Sequence, residues 1–146
     1  MEGQRRVHGE EHKDTLMSLN NMGALLHDMG DFTSSLDYKG QALRVGEKVQ
    51  GKTHPDTLCT IMNMAVTYMD GLKDSTKAEE MYRQALDGYE KSLGKQHGDT
   101  KDCARNMAIL YFQGAPSKEK LRELIKDYPH LLQDPQIGER IRNFIR

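Results

Sequence analysis

Gly51–Tyr68, GKTHPDTLCTIMNMAVTY, decides the fold, because the chain contains it three times. An earlier copy, GEEHKDTLMSLNNMGALL, runs from Gly9 to Leu26, and a later one, GKQHGDTKDCARNMAILY, from Gly94 to Tyr111. Gly, His, Asp and Thr keep their places in all three, and each copy continues to Asn-Met followed by Gly or Ala. The spacing is 42 residues from Asn21 to Asn63 and 43 from Asn63 to Asn106. Self-similarity at a period of roughly 20 to 50 residues marks a stacked repeat array. Such a stack presents an extended concave surface, so a binding role is expected from the arrangement alone.

Working outward, each copy predicts a helix pair. Leu16, Leu19, Met22, Gly23 and Leu26 recur at helical spacing, so a first helix is expected from Lys13 to about Met29. Gly30-Asp31 stops it, and a second helix follows from Phe32 or Thr33 to Val49, with Leu36, Ala42 and Leu43 inward. Gly51 ends that pair as a helix C-terminal glycine. Pro55 suits the first turn of the next helix, where no N–H is needed. Asp56 and Thr57 favour the same helix end. The next helices are expected at about Pro55 to Met69 and Thr76 to Leu93, with the extra residue of the longer period in the loop Asp70 to Ser75. The third copy gives a helix from about Gly98 to Gln113. Ser117 to Asp127 reads as a short helix with a Ser cap, stopped by Pro129. Pro135 opens a last helix to about Ile145, with Ile137, Ile141, Phe144 and Ile145 on one stripe. Arg5-Arg6-Val7-His8 stands where a second helix ends in the later copies. The chain is therefore expected to start inside a helix whose first half is missing, as a trimmed piece of a longer array, a short native leader being the alternative.

Composition narrows the function. The 146 residues make at most one domain, and 36% hydrophobic with 29% charged residues is thin for a single core. A solenoid tolerates this, since each repeat buries only a strip against its neighbours. The formal net charge is −1 and no block of like charge occurs, which disfavours nucleic acid as a partner. No apolar run approaches the roughly 18 residues of a membrane span. The N-terminus, MEGQRRVHGEE, lacks the apolar core of a signal peptide. Cys59 and Cys103 fall at nearly the same place in successive copies and read as reduced thiols of a cytoplasmic protein, with a disulfide as the alternative.

The helix pairs resemble tetratricopeptide repeats, in the long form of kinesin light chains. The residues that carry the resemblance are Asn21-Met22-Gly23 with Leu26, Asn63-Met64-Ala65 with Tyr68, and Asn106-Met107-Ala108 with Tyr111, then Ala42-Leu43 and Ala85-Leu86 on the second helices. It implies an all-α, right-handed α-solenoid of antiparallel helix pairs with C-terminal capping helices. Residues 1–116 would hold the repeats, at about 9–50, 51–93 and a degenerate 94–127, with a truncated first helix at 1–8. Residues 117–146 would cap them. Gly23, Ala65 and Ala108 would let the paired helices approach closely, and Met22, Met64 and Met107 would sit in the core.

The first helices carry a second face that is not charged. In copy one it comprises Met17, Asn20, Asn21, Ala24 and His27; in copy two, Cys59, Met62, Asn63, Val66 and Met69. In copy three Arg105, Asn106, Ile109 and Phe112 share it with Asp102. A helix needing one core would be polar there. By the resemblance, this face lines a concave groove for a peptide. Asn21, Asn63 and Asn106 are expected to grip its backbone, since an amide both donates and accepts; the alternative is that they knit neighbouring helices together. Met17, Met62 and Met69 offer an adaptable apolar surface. Arg105, helped by His27, is expected to take an acidic side chain, although Asp28, Asp70 and Asp102 argue against an acidic-motif reader. A chaperone-tail clamp would, by resemblance, need basic residues where Asn20 and Met62 stand.

His12, His54 and His97 recur too far apart for one metal ion, since packed helices lie roughly 8–10 Å apart, so linker or cap roles are expected. Neither a metal nor another cofactor is expected. No catalytic signature is visible, so the chain is read as non-enzymatic. The expected partner is a protein or peptide, with self-association into a homo-oligomer as the second reading. A third is that the last helix folds back into the groove through Ile137, Ile141 and Phe144.

Overall fold

Asp31, Asp74 and Ser117 set the period of the structure, because each caps a second helix. Asp31 accepts from the N–H of Ser34 at 3.3 Å, Asp74 from Lys77 at 3.0 Å and Ser117 from Lys120 at 3.2 Å. A side-chain oxygen at this position satisfies one of the amides that a helix start leaves without a partner. The computed structural model describes the backbone from His8 to Arg146 and side chains from Asp14 onward. The elements are α1 (His8–Asp28), α2 (Phe32–Val49), α3 (Pro55–Val66), α4 (Ser75–Leu93), α5 (Gly98–Ile109), α6 (Lys118–Asp127), a 3-10 turn (Pro129–Gln133) and α7 (Gly138–Ile145). No strand occurs among the described residues, and the helices form an all-α solenoid of paired hairpins. The truncated helix expected at 1–8 falls almost wholly outside the described residues, as does the side chain of His12.

First helices start on a histidine in copies two and three. The Nδ1 of His54 accepts the N–H of Asp56 at 3.1 Å, and His97 treats Asp99 in the same way at 3.1 Å. The recurrent linker histidines are therefore N-caps, with Nδ1 unprotonated. Gly51 and Gly94 take φ of +97° and +87° to end the preceding helix, a conformation that costs glycine little. Copy one differs: α1 runs straight through Gly9 from His8. Lys13 stands there in place of Pro55, whose ring disfavours a helical residue before it.

The extra residue of the longer period is absorbed in the backbone hydrogen bonding. The N–H of Asp31 reaches the carbonyl of Leu26, five residues back, at 2.8 Å. Asp74 and Ser117 reach Tyr68 and Tyr111, six residues back, at 2.9 and 2.8 Å. The ends of α3 and α5 widen into π-type turns at Thr67–Gly71 and Leu110–Gly114 to make room. The loop expected to hold the residue shares it with the helix end.

Close approach of the helices rests on small residues. Ala42, Ala65, Ala78, Ala85, Ala104 and Ala108 are fully buried. A Cβ on Gly23 would stand 2.7 Å from Lys39 Cγ, and the Gly23 carbonyl accepts from the Ser35 hydroxyl at 2.6 Å. Copies two and three supply the main core, including Leu58, Ile61, Tyr82, Tyr89, Met107 and Tyr111. The first pair is more polar. α2 buries Ser35, Lys39, Ala42 and Gly46, while Leu36 and Leu43 are only half-buried. Met64 and Met107 lie in the core as expected, but Met22 is 41% exposed. That position is covered only when a second helix lies on its outer side, and α1 has none among the described residues.

Lys39 is the most costly feature of this pair. Its side chain is 5% exposed and its Nζ donates to the Thr67 hydroxyl at 2.7 Å. Burial pushes its pKa below the usual lysine value, against a raising field from Asp28. The unfolded chain therefore binds more protons just below the ordinary lysine pKa, and stability rises with pH through that window. At neutral pH the buried ammonium is a cost. Lys39→Met keeps the stem and removes the charge, so a gain of about 1 kcal/mol and a higher Tm are expected in thermal melts. A fall in Tm would show that the Lys39–Thr67 bond outweighs desolvation.

The C-terminal part closes the array. Leu121, Leu131, Ile137 and Ile141 are fully or nearly fully buried against the core. The 3-10 turn after Pro129 was not legible as a stop alone. Asp134 Oδ1 accepts from the N–H groups of Gln136 and Ile137 at 2.8 and 3.1 Å, which holds this stretch as a turn and delays α7 to Gly138 rather than Pro135. With Ile137, its N-cap residue, and Ile141 buried in the core, α7 packs as a cap on the end of the array.

Candidate functional site

The first helices α1, α3 and α5 lie side by side and build one wall. His27 Nδ1 meets Thr67 Oγ1 at 2.9 Å, bridging α1 to the end of α3. Thr67 Oγ1 also lies 3.1 Å from the Asn63 carbonyl and accepts from Lys39 at 2.7 Å. Thr60 Oγ1 lies 3.5 Å from Asn20 Oδ1, and Asn106 Nδ2 lies 3.6 Å from Met62 Sδ, joining α3 to α1 and α5. Met69 fills the space over Gly114, where a Cβ would stand 1.6 Å from its methyl carbon.

Two clefts open along this wall. The larger, about 800 Å³, is lined by Met17, Asn20, Asn21, Cys59 and Asn63 together with Leu16, Val49, Gln50, His54, Asp56 and Thr60. The second, about 360 Å³, is lined by Val66, Met69, Asn106 and Ile109 with Asp70, Lys73, Tyr82, Leu110 and Gln113. Ala24, His27, Met62, Arg105 and Phe112 lie outside both clefts. Met17, Asn21, Ala24, Cys59 and Asn63 are exposed, and the other residues of the expected face are half-buried. Sequence reading missed Val49, Gln50, His54 and Asp56, which come from the α2–α3 connection; the fixed His-x-Asp of the linker was the available signal.

The asparagine amides remain largely uncommitted. Asn63 Nδ2 faces only the Cys59 thiol at 3.9 Å, and Asn106 meets only the Met62 thioether. The Asn21 amide has no side-chain partner among the described residues. Sulfur is a weak acceptor, so these groups keep most of their hydrogen-bonding capacity. Arg105 differs from expectation, because it already holds an acid of its own chain. Its Nε donates to Asp134 at 3.0 Å and its guanidinium also contacts Gln136. Phe112 is likewise covered, with the Arg140 guanidinium 5.1 Å from its ring centre.

Electrostatically the open end of the wall is acidic. Burial raises the Cys59 thiol pKa, and the fields of Asp56 and Asp99 raise it further. Cys103 is buried, with its thiol pushed up to about 12 chiefly by burial. Both cysteines are free. Among the described residues no three His, Cys, Asp or Glu side chains converge as a metal site would need. No described helix is long and apolar enough to cross a membrane.

The comparisons agree with this architecture. The tetratricopeptide repeat family model matches residues 14–91 and 56–118. Clustered mitochondria protein homologues from Homo sapiens and Xenopus tropicalis are 30% and 29% identical over 77 residues, 53% of this chain. The chain spans only 6% of the length of those relatives. The crystal structure of BtubC (BKLC) from P. vanneervenii superposes with a TM-score of 0.73 at 14% identity, covering 89% of this chain and 53% of that one. With matched repeats, capped helix pairs and small residues at each close approach, the chain belongs to the tetratricopeptide repeat family.

Proposed function

We propose that the wall of α1, α3 and α5 captures a peptide segment of a partner protein, and that the chain is a non-enzymatic, cytoplasmic scaffold of the kinesin light chain-like type. One observation carries this reading: apolar and amide side chains share an open face, and the amides of Asn21 and Asn63 are free to pair with a peptide backbone. An exposed strip of this composition is where a partner binds. The apolar lining, Met17, Cys59, Val66 and Met69, suits apolar side chains. Arg105 is occupied by Asp134, and Asp56 and Asp70 border the clefts, so the favoured segment is neutral to basic.

The test is a peptide-display selection followed by titration of the best binder. Asn63→Ala should weaken binding about 10-fold, the loss of one to two hydrogen bonds, with Tm nearly unchanged. A large drop in Tm with unchanged affinity would assign Asn63 to repeat packing instead. A second reading, self-association, is favoured by the exposed apolar edge of α1.

A further inference from the structure

The start of α7 repeats the starts of α3 and α5. Asp134 Oδ1 accepts from the N–H of Gln136, two residues on, at 2.8 Å, as His54 does from Asp56 and His97 from Asp99 at 3.1 Å. The carbonyls of His54, His97 and Asp134 accept from the N–H four residues on at 3.0, 3.0 and 2.9 Å. Their own N–H groups reach three residues back, to Gly51, Gly94 and Leu131, at 3.4, 3.3 and 3.3 Å. Three and seven places after each cap the side chain is buried: Thr57 and Ile61, Thr100 and Ala104, Ile137 and Ile141. α7 is therefore built as a fourth first helix, with α6 as the second helix before it.

Its neighbours agree. Arg105 meets Asp134 and Gln136, and Phe112 meets Arg140, so residue numbers rise together along α5 and this segment. Adjacent first helices α1 and α3 are parallel in the same way, through Asn20 with Thr60 and His27 with Thr67. α6 runs the other way: Lys118 lies over Phe144 and Arg122 contacts the Ile145 carbonyl. The start of α6 thus meets the end of α7, just as Phe32 at the start of α2 packs on Gly71 beyond α3.

We infer that the receiving wall has a fourth member, and that Asn143 on α7 is a further amide for the backbone of the bound segment. The inference rests on the peptide-capture reading above. Asn63 and Asn106 stand nine residues after their caps, and Asn143 stands nine after Asp134. Asn143 is exposed, while Phe144 after it packs against the core as Met64 and Met107 do. Glu139 and Arg146, both exposed, take the places of Cys59 and Val66. The part of the partner that lies on α7 is therefore polar where the rest is apolar.

The fourth amide does not continue the row in a straight line. The caps of a second helix and the next first helix stand 23 residues apart at Asp31–His54 and Asp74–His97, but 17 apart at Ser117–Asp134. The six missing residues set α7 forward along α5 by roughly 9 Å, at about 1.5 Å per helical residue. Arg105 accordingly meets the cap Asp134 itself, whereas its counterpart Met62 meets Asn106, nine residues past a cap. With neighbouring helices roughly 8–10 Å apart, an extended segment needs about four residues from Asn106 to Asn143 and about three between the earlier asparagines.

Titration with a display-selected peptide and versions shortened from either end tests this. Asn143→Ala should weaken the full peptide about 10-fold with Tm unchanged, and should have no effect once the polar end is removed. Asn63→Ala should weaken the full and the shortened peptide alike. If Asn63→Ala weakens binding while Asn143→Ala binds the full peptide like the natural chain, the fourth member is overturned and the three-helix wall stands. If neither variant weakens binding, the wall reading fails and takes the inference with it. If Asn143→Ala lowers Tm and weakens both peptides equally, Asn143 belongs to the cap and the inference is overturned.

Discussion

Leu58→Ala is expected to lower the unfolding free energy by about 3 kcal/mol, within the range for buried leucine truncations. Leu58 is 1% exposed and fills the notch left by Gly88 on the paired helix, where a Cβ would stand 2.4 Å from its methyl carbon. The notch makes a sharper test possible. Gly88→Ala alone gains helix propensity of about 1 kcal/mol but forces Leu58 aside, at a cost of about 1 to 3 kcal/mol. In the Leu58→Ala background the added methyl enters vacated space, so the same change should become stabilising. Chemical denaturation of the four proteins in the cycle measures the coupling. Additive values would mean that the pair does not hold the helices at this separation.

The second large effect concerns the lock between the repeats and their cap. Glu79 accepts from the Tyr111 hydroxyl at 2.5 Å, from Arg83 at 3.2 Å and from Lys120 at 3.0 Å, and so ties α4 to the π-type turn after α5 and to α6. Burial alone would raise its pKa, but these three donors outweigh it and the carboxyl ends below its usual range. Asp134 follows the same pattern: burial raises it, while the N–H groups of Gln136 and Ile137 and the Arg105 guanidinium bring it below normal. For a depressed carboxyl, the stabilisation is complete above the unfolded pKa and is lost as pH falls through the folded one. Stability should hold from neutrality down to the ordinary carboxylate range and then fall. Glu79→Ala leaves the Tyr111 hydroxyl and Lys120 without their acceptor and Arg83 with only the Tyr111 oxygen, and a loss of about 2 kcal/mol is expected, with a flatter acid limb. An unchanged acid limb would remove Glu79 from the lock.

Much of this was legible before the structure. Fixed Gly, His, Asp and Thr, the Asn-Met-Gly/Ala core and the period gave the pairs, because caps and small residues are local devices that read directly from spelling. The expected binding face was read from helical spacing on α1, α3 and α5, and nine of its residues line the two clefts. What stayed hidden depends on elements distant in sequence. Met22 matches Met64 and Met107 in pattern, yet only a helix lying outside it would bury it. Lys39 takes a position held by Tyr82 in the next pair, and its burial comes from the space that Gly23 leaves. Arg105 looked free until the turn at Asp134 returned to it, because a stretch dominated by Pro129 and Pro135 gives no periodic signal.

One wall, made of α1, α3 and α5, is the proposed receiving surface for the partner. Backbone amide shift mapping of the chain with a display-selected peptide tests it most directly. Perturbations are expected to concentrate at Met17, Asn21, Cys59, Asn63, Val66 and Ile109, with Arg83, Asp87 and Glu123, which line a separate cleft, unmoved. Perturbations centred on α4 and α6, with the asparagine ladder silent, would contradict it.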